Sequence, residues 1–137
     1  AIARRFVQEI DNYFASARRG LMRHVLHTPP ERWNEDEISK LRDCCVAELD
    51  LYEREMRGEF LAGPLSAADF SLYPLLISTL DTEREKPDLA ISSHIGPGIG
   101  TWMKRIEALP YFERTLPPNV NLPIFPSGHA SYAFPGR

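Results

Sequence analysis

Ser66 and Asp69 stand three residues apart, and a serine with a nearby acid is the start of a hydrolase's nucleophile and orienting carboxylate. No histidine is placed near them in the sequence to carry the proton. The same two residues meet a structural need in full. With Ser66 as N-cap, Asp69 falls at the third helical position, so Ser66-Ala67-Ala68-Asp69 reads as a capping box with aspartate in place of the commoner glutamate. Leu65 and Phe70 occupy the two staple positions, and Pro64 stiffens the entry. The stretch is a helix start rather than a reaction centre.

Other candidate chemistry is thinner. Cys44 and Cys45 are neighbours on one helix, pointing about 100° apart, which is poor geometry for a disulfide. A nucleophilic cysteine needs a helix N-terminus or a close cation, and both lie well inside a helix, so core packing is the reading for each. Unpaired thiols fit a reducing cytoplasm. His24 and His27 are three apart near a helix end with no acid or thiol at a matching spacing, so they read as cations at a helix C-terminus and no metal is expected. His94 and His129 read as solvated loop residues. Glu53-Arg54-Glu55 and the acids from Asp81 to Glu85 look like solvated faces and helix ends, not a tuned acid and base pair. Gly96, Gly98 and Gly100 follow no strand and match no dinucleotide fingerprint.

Helices must position whatever chemistry there is. Ile2, Phe6, Ile10, Phe14, Ala17, Leu21 and Val25 recur in threes and fours, the stripe of an amphipathic helix that stops at Pro29-Pro30. Asn34 and Glu37 form a second capping box, stapled by Trp33 and Ile38, before a helix of about five turns with Ile38, Leu41, Cys45, Leu49, Tyr52 and Met56 on its stripe. The helix opened by Ser66 is apolar nearly all round through Leu80, so it should run through the core, bent locally at Pro74. A last helix carries Trp102, Ile106 and Leu109 and is broken by Pro110, with a short turn possible around Tyr111 and Phe112. From Leu116 onward five of the chain's twelve prolines predict an extended tail anchored by Ile124, Phe125, Tyr132 and Phe134.

Composition bounds the class. At 137 residues, 43% hydrophobic and 26% charged, the chain is sized for one soluble domain with its own core. No apolar run approaches the roughly 18 residues of a membrane span. A formal net charge of -3 gives no general attraction to nucleic acid. Starting at Ala1 with an amphipathic pattern already running, the sequence reads as a piece of something longer. On residues alone it is all-α, with no complete catalytic constellation.

The order of two stretches adds to this. "FLAGPLSAADFSLYPLL", followed about thirty residues later by "TWMKRIEALPYFERT", resembles the C-terminal helical domain of cytosolic glutathione transferases. The matching positions are Leu61, Gly63, Leu65, Ser66, Asp69 and Phe70 in the first stretch, and Trp102, Leu109 and Pro110 in the second. The similarity covers about residues 1–116, leaving 117–137 as a proline-rich tail with no family counterpart. It implies an all-α bundle of the glutathione-transferase C-terminal type, part of an enzyme whose thioredoxin-like N-terminal domain is absent from this chain. That absent domain would hold glutathione, the co-substrate, and supply the residue that stabilises its thiolate. This domain would need no cofactor, and would wall the site for a small-molecule electrophile and contribute to a homodimer. By the resemblance, the second half of the first helix lines that site, with Tyr13, Phe14, Ala17, Arg18 and Met22 as candidates and Phe125 or Tyr132 as a cap. The implied activity is conjugation of glutathione to electrophiles. The same fold also serves as a non-catalytic protein-interaction module, which is the alternative reading.

Overall fold

The first helical stripe contains two successive steps of four, Phe6 to Ile10 to Phe14, which overshoot a turn of 3.6 residues. In the computed structural model, which describes residues 2–56 and 58–110, the backbone absorbs that excess in a π-helical turn. Helix α1 (Ile2–Glu9) passes through this turn (Ile10–Phe14) directly into α2 (Ala15–Val25). The wider turn keeps Phe6, Ile10, Phe14, Ala17, Leu21 and Val25 all buried. Ile2, expected on the same stripe, is 40% exposed because it sits at the first turn, beyond the packed length. At the far end Thr28 Oγ1 donates to Arg23 O, and Trp33 Nε1 donates to Val25 O and Thr28 O. These bonds satisfy carbonyls that the helix end leaves open.

Helix α3 (Glu35–Glu55) begins as its sequence predicts. Asn34 accepts the Glu37 amide at 3.1 Å, and Glu35, Asp36 and Glu37 stand in the first turn, where the dipole favours acids. Ile38, Cys45, Leu49 and Tyr52 are buried, and Leu41 and Met56 are packed against the core from its edge. Helix α4 (Ala67–Glu85) follows a tight turn in which Phe60 and Gly63 exchange amide and carbonyl bonds of 3.1 Å. Gly63 has φ 104°, a conformation open to glycine and strained for other residues. Helix α5 (Pro97–Glu107) starts with proline in its first turn, where a missing amide costs nothing.

Among the described residues there are five α-helices and no strand, only an isolated bridge at Phe60 and Gly63. The protein is all-α over that span. Helix α2 packs on α3 and α4, α1 on α4, and α5 on α3 and α4. Leu72, Tyr73, Leu76, Ile77 and Leu80 of α4 are all buried, which makes α4 the central helix, with Pro74 inside it. Two edge-to-face clusters brace the core: Tyr52 against Phe6 and Phe14, with ring centroids 6.1 and 6.5 Å apart, and Tyr73 against Trp102 at 6.1 Å. Each such buried large side chain contributes roughly 1.5 to 3 kcal/mol by leaving water.

Two charged residues are drawn into contacts between helices. Lys86, at the end of α4, is buried; its ammonium bonds Glu35 and Asp88 and lies 4.9 Å from the Trp33 ring centroid. It ties the end of α4 to the start of α3. Glu53, expected on a solvated face, turns inward and accepts the amides of Gly98 at 2.7 Å and Ile99 at 2.8 Å, so α3 caps α5. The proline-rich tail, including Phe125 and Tyr132, and the turn around Tyr111 and Phe112 lie outside the described residues.

Candidate functional site

The capping box forms, and it does more than cap. Ser66 Oγ accepts the Ala68 amide at 3.3 Å, and Asp69 Oδ2 accepts the Ser66 amide at 2.8 Å. The other oxygen of Asp69 accepts the Leu61 amide at 3.0 Å and the Trp102 indole N–H at 2.7 Å. Asp69 and Trp102 are both fully buried. One carboxylate therefore joins the turn before α4, the start of α4 and the middle of α5. Each of its donors is matched, the condition under which a buried acid is tolerated. Leu65 and Phe70 are half-buried on either side of it, with Leu65 packed against the core. Ser66 is left in a helix cap, its hydroxyl donating at 3.5 Å to the same Asp69 carboxylate.

The five candidates for the electrophile wall separate into three environments. Phe14 and Ala17 point into the core at 0% and 5% exposure and present no face to solvent within this chain. Tyr13, one residue round the helix, is 58% exposed. Arg18 and Met22 are half-buried and meet each other, with Arg18 Nη1 donating to the Met22 sulfur and to Ser78 Oγ of α4 at 3.0 Å. Arg18 Nε is buried with no acceptor among the described residues. Burial, and after it the neighbouring Arg19 charge, pulls the Arg18 guanidinium below the ordinary arginine range. The structure thus brings Arg18, Met22 and Ser78 together and leaves Tyr13 apart. Ser78 lies sixty residues from Arg18, and no spacing signal in the sequence marks it.

The titratable groups elsewhere divide by burial. Cys45 is in the core, its thiol pushed up to about 12 by burial and then by Cys44, whereas Cys44 is exposed rather than packed in the core as expected. The α3 face presents Cys45 inward, and its neighbour is turned away by about 100°. Tyr52 donates to Glu48 Oε1 at 2.9 Å; burial first, and then that bond, raise the tyrosine. Burial raises Glu48 as well, against the pull of the Tyr52 bond, with Glu9 and Glu55 adding repulsion. His94 is not solvated alone: Arg42 Nη2 lies 3.0 Å from its Nε2, while Arg42 Nε donates to Leu89 O. Among the described residues no cluster of three or more histidine, cysteine, aspartate or glutamate side chains is placed to hold a metal ion.

Among the described residues, open cavities border the bundle at two places. One, of about 400 Å³, is lined by Ile95, Pro97, Thr101, Met103, Lys104 and Glu107 along α5. The other, of about 420 Å³, lies between Leu26, Pro29, Pro30, Trp33 and Glu85 at the end of α2. Neither includes Arg18. Among the described residues no helix is long and apolar enough to cross a membrane. No family model, no curated protein and no solved structure matches this chain.

Proposed function

We propose that this chain is the electrophile-site and dimerisation domain of a cytoplasmic glutathione transferase, an enzyme that joins the glutathione sulfur to small-molecule electrophiles. The observation that supports the reading is the Asp69 carboxylate. It binds the Leu61 and Ser66 amides from one of the two stretches that carry the resemblance and the Trp102 indole from the other. Two sequence features recognised separately are one physical unit, as parts of a common fold should be.

In this reading the thioredoxin-like domain holds glutathione and lowers its thiol pKa, because the thiolate is the nucleophile. The helical domain supplies wall and orientation, and its exposed apolar residues on the first helix meet a second copy of the protein. Tyr13, Arg18 and Met22 form the part of the wall open to a ligand, with Phe14 and Ala17 as the packed support behind them. Bringing the electrophile to the thiolate in a fixed geometry is itself a large share of such catalysis.

The test is conjugation of glutathione to an uncharged chlorodinitrobenzene by the full-length parent, with the 137-residue chain assayed beside it. Activity in the parent and none in the chain supports the reading. A parent that neither conjugates nor binds glutathione overturns it and leaves the non-catalytic interaction module in its place.

A further inference from the structure

Among the described residues Arg18 is a cation without an anion. Its Nη1 meets only neutral acceptors, the Met22 thioether and the Ser78 hydroxyl, and its buried Nε meets none. Arg5, Arg42 and Arg84 each have an acid within 4 Å, and even Lys86, which is more buried than Arg18, has two; the half-buried Arg105 has none but donates to the Glu59 carbonyl. No described acid lies within that reach of Arg18, and the Arg19 charge repels it, offset in part by the Cys45 thiol. A partly buried guanidinium held against neutral groups keeps its desolvation cost and gains no ion pair in return. Met22 is unbranched and adaptable, so the side of the site that it forms can open for a ligand.

We propose that Arg18 receives an oxyanion, a carboxylate or its like, carried by the electrophilic substrate, which makes the site selective for anionic electrophiles. This rests on the transferase reading for the word electrophile, but not for the anion. Guanidinium is the side chain best matched to a carboxylate, through parallel charge-assisted hydrogen bonds. Met22 lies against it and offers thioether surface to the body of an aromatic acid.

The test is equilibrium binding of 4-chloro-3-nitrobenzoate and of the uncharged 4-chloro-3-nitrobenzamide to the chain at matched ionic strength. Wild type should prefer the benzoate by about tenfold, a typical value for one charge-assisted contact. Arg18→Met should abolish the preference and Arg18→Lys should keep part of it. Ser78→Asp places a carboxylate where an oxygen already lies 3.0 Å from Nη1. It should abolish the preference and raise the unfolding midpoint, a pair of effects that covers the case in which Arg18→Met fails to fold. Equal affinities in wild type or a preference that survives Ser78→Asp would overturn the assignment. Because no conjugation is measured, an inactive parent with the preference intact sinks the transferase reading alone. A conjugating parent without the preference sinks only this one.

Discussion

Replacing Asp69 by alanine should be among the most damaging single changes in the chain. Two of its donors, the Leu61 amide and the Trp102 indole, bond it in the buried interior. Leaving a buried donor unpaired costs roughly 1 to 3 kcal/mol. The third donor, the Ser66 amide, belongs to the cap of α4, whose loss costs roughly 0.5 to 2 kcal/mol. The three bonds share one carboxylate and do not simply add, so the expected loss is roughly 3 to 6 kcal/mol. A domain of this size is stable by roughly 5 to 15 kcal/mol in total. Ser66→Ala loses the cap alone and should stay within roughly 0.5 to 2 kcal/mol.

Urea unfolding followed by circular dichroism separates the two, provided the slope stays constant and only the midpoint moves. Trp102→Phe supplies a further control, since it keeps most of the ring and removes one donor. In an Asp69→Ala background it should cost less than in wild type, with a coupling of roughly 0.5 to 3 kcal/mol. If Asp69→Ala is no worse than Ser66→Ala, or if the Trp102 and Asp69 effects are additive, the buried hub is wrong and only an ordinary cap remains.

Further outcomes follow from the same geometry. Glu53→Ala should cost roughly 0.5 to 2 kcal/mol by uncapping α5, with faster amide exchange at Gly98 and Ile99 and little change elsewhere. A Cβ at Gly98 would stand 2.5 Å from Glu53 Oε2, so Gly98→Ala should displace the cap, cost about as much, and become neutral or stabilising once Glu53 is already alanine. Alkylation of the folded chain should modify Cys44 and spare Cys45, read by mass spectrometry after digestion. Cys45 and Tyr52 both hold their protons more tightly folded than unfolded. Their contribution is therefore complete below the ordinary thiol range and falls as pH rises from 9.0 toward about 12, so the unfolding midpoint should drop through that window. Cys45→Ala should make the drop shallower.

What the sequence made legible was local. Asn34 and Glu37, or Ser66 and Asp69, are three residues apart, so their bonds are set by helix geometry before any tertiary contact exists. The stripe of α1 and α2 was equally readable, because a core face repeats with the helix period, and α4 was readable as apolar nearly all round. Contacts between distant segments were not. Glu53 reads as one of several surface acids until α5 is brought to it across 45 residues. Lys86 sits in a run of charges, and only the approach of the end of α4 to Trp33 and Glu35 shows which of them is buried. Cys44 and Cys45 have the same chemistry and adjacent positions, so only the packed face of α3 decides which thiol is shielded.

The candidate site illustrates the boundary between these two kinds of information. Phe14, Arg18 and Met22 follow one another in steps of four, and each such step advances about 40° beyond a full turn of an α-helix. A row that starts on the buried stripe at Phe14 therefore drifts off it, and Arg18 and Met22 emerge half-buried at its flank. At that flank the core fixes the backbone while the side-chain ends can still meet another molecule. Periodicity locates the flank but not its chemistry, which depends on the group the neighbouring helix presents. Here α4 presents Ser78, a hydroxyl, where an aspartate would have closed the charge internally. A neutral partner at that one position leaves the Arg18 cation to be matched from outside, and that is why Ser78→Asp tests the site more sharply than removing the arginine itself.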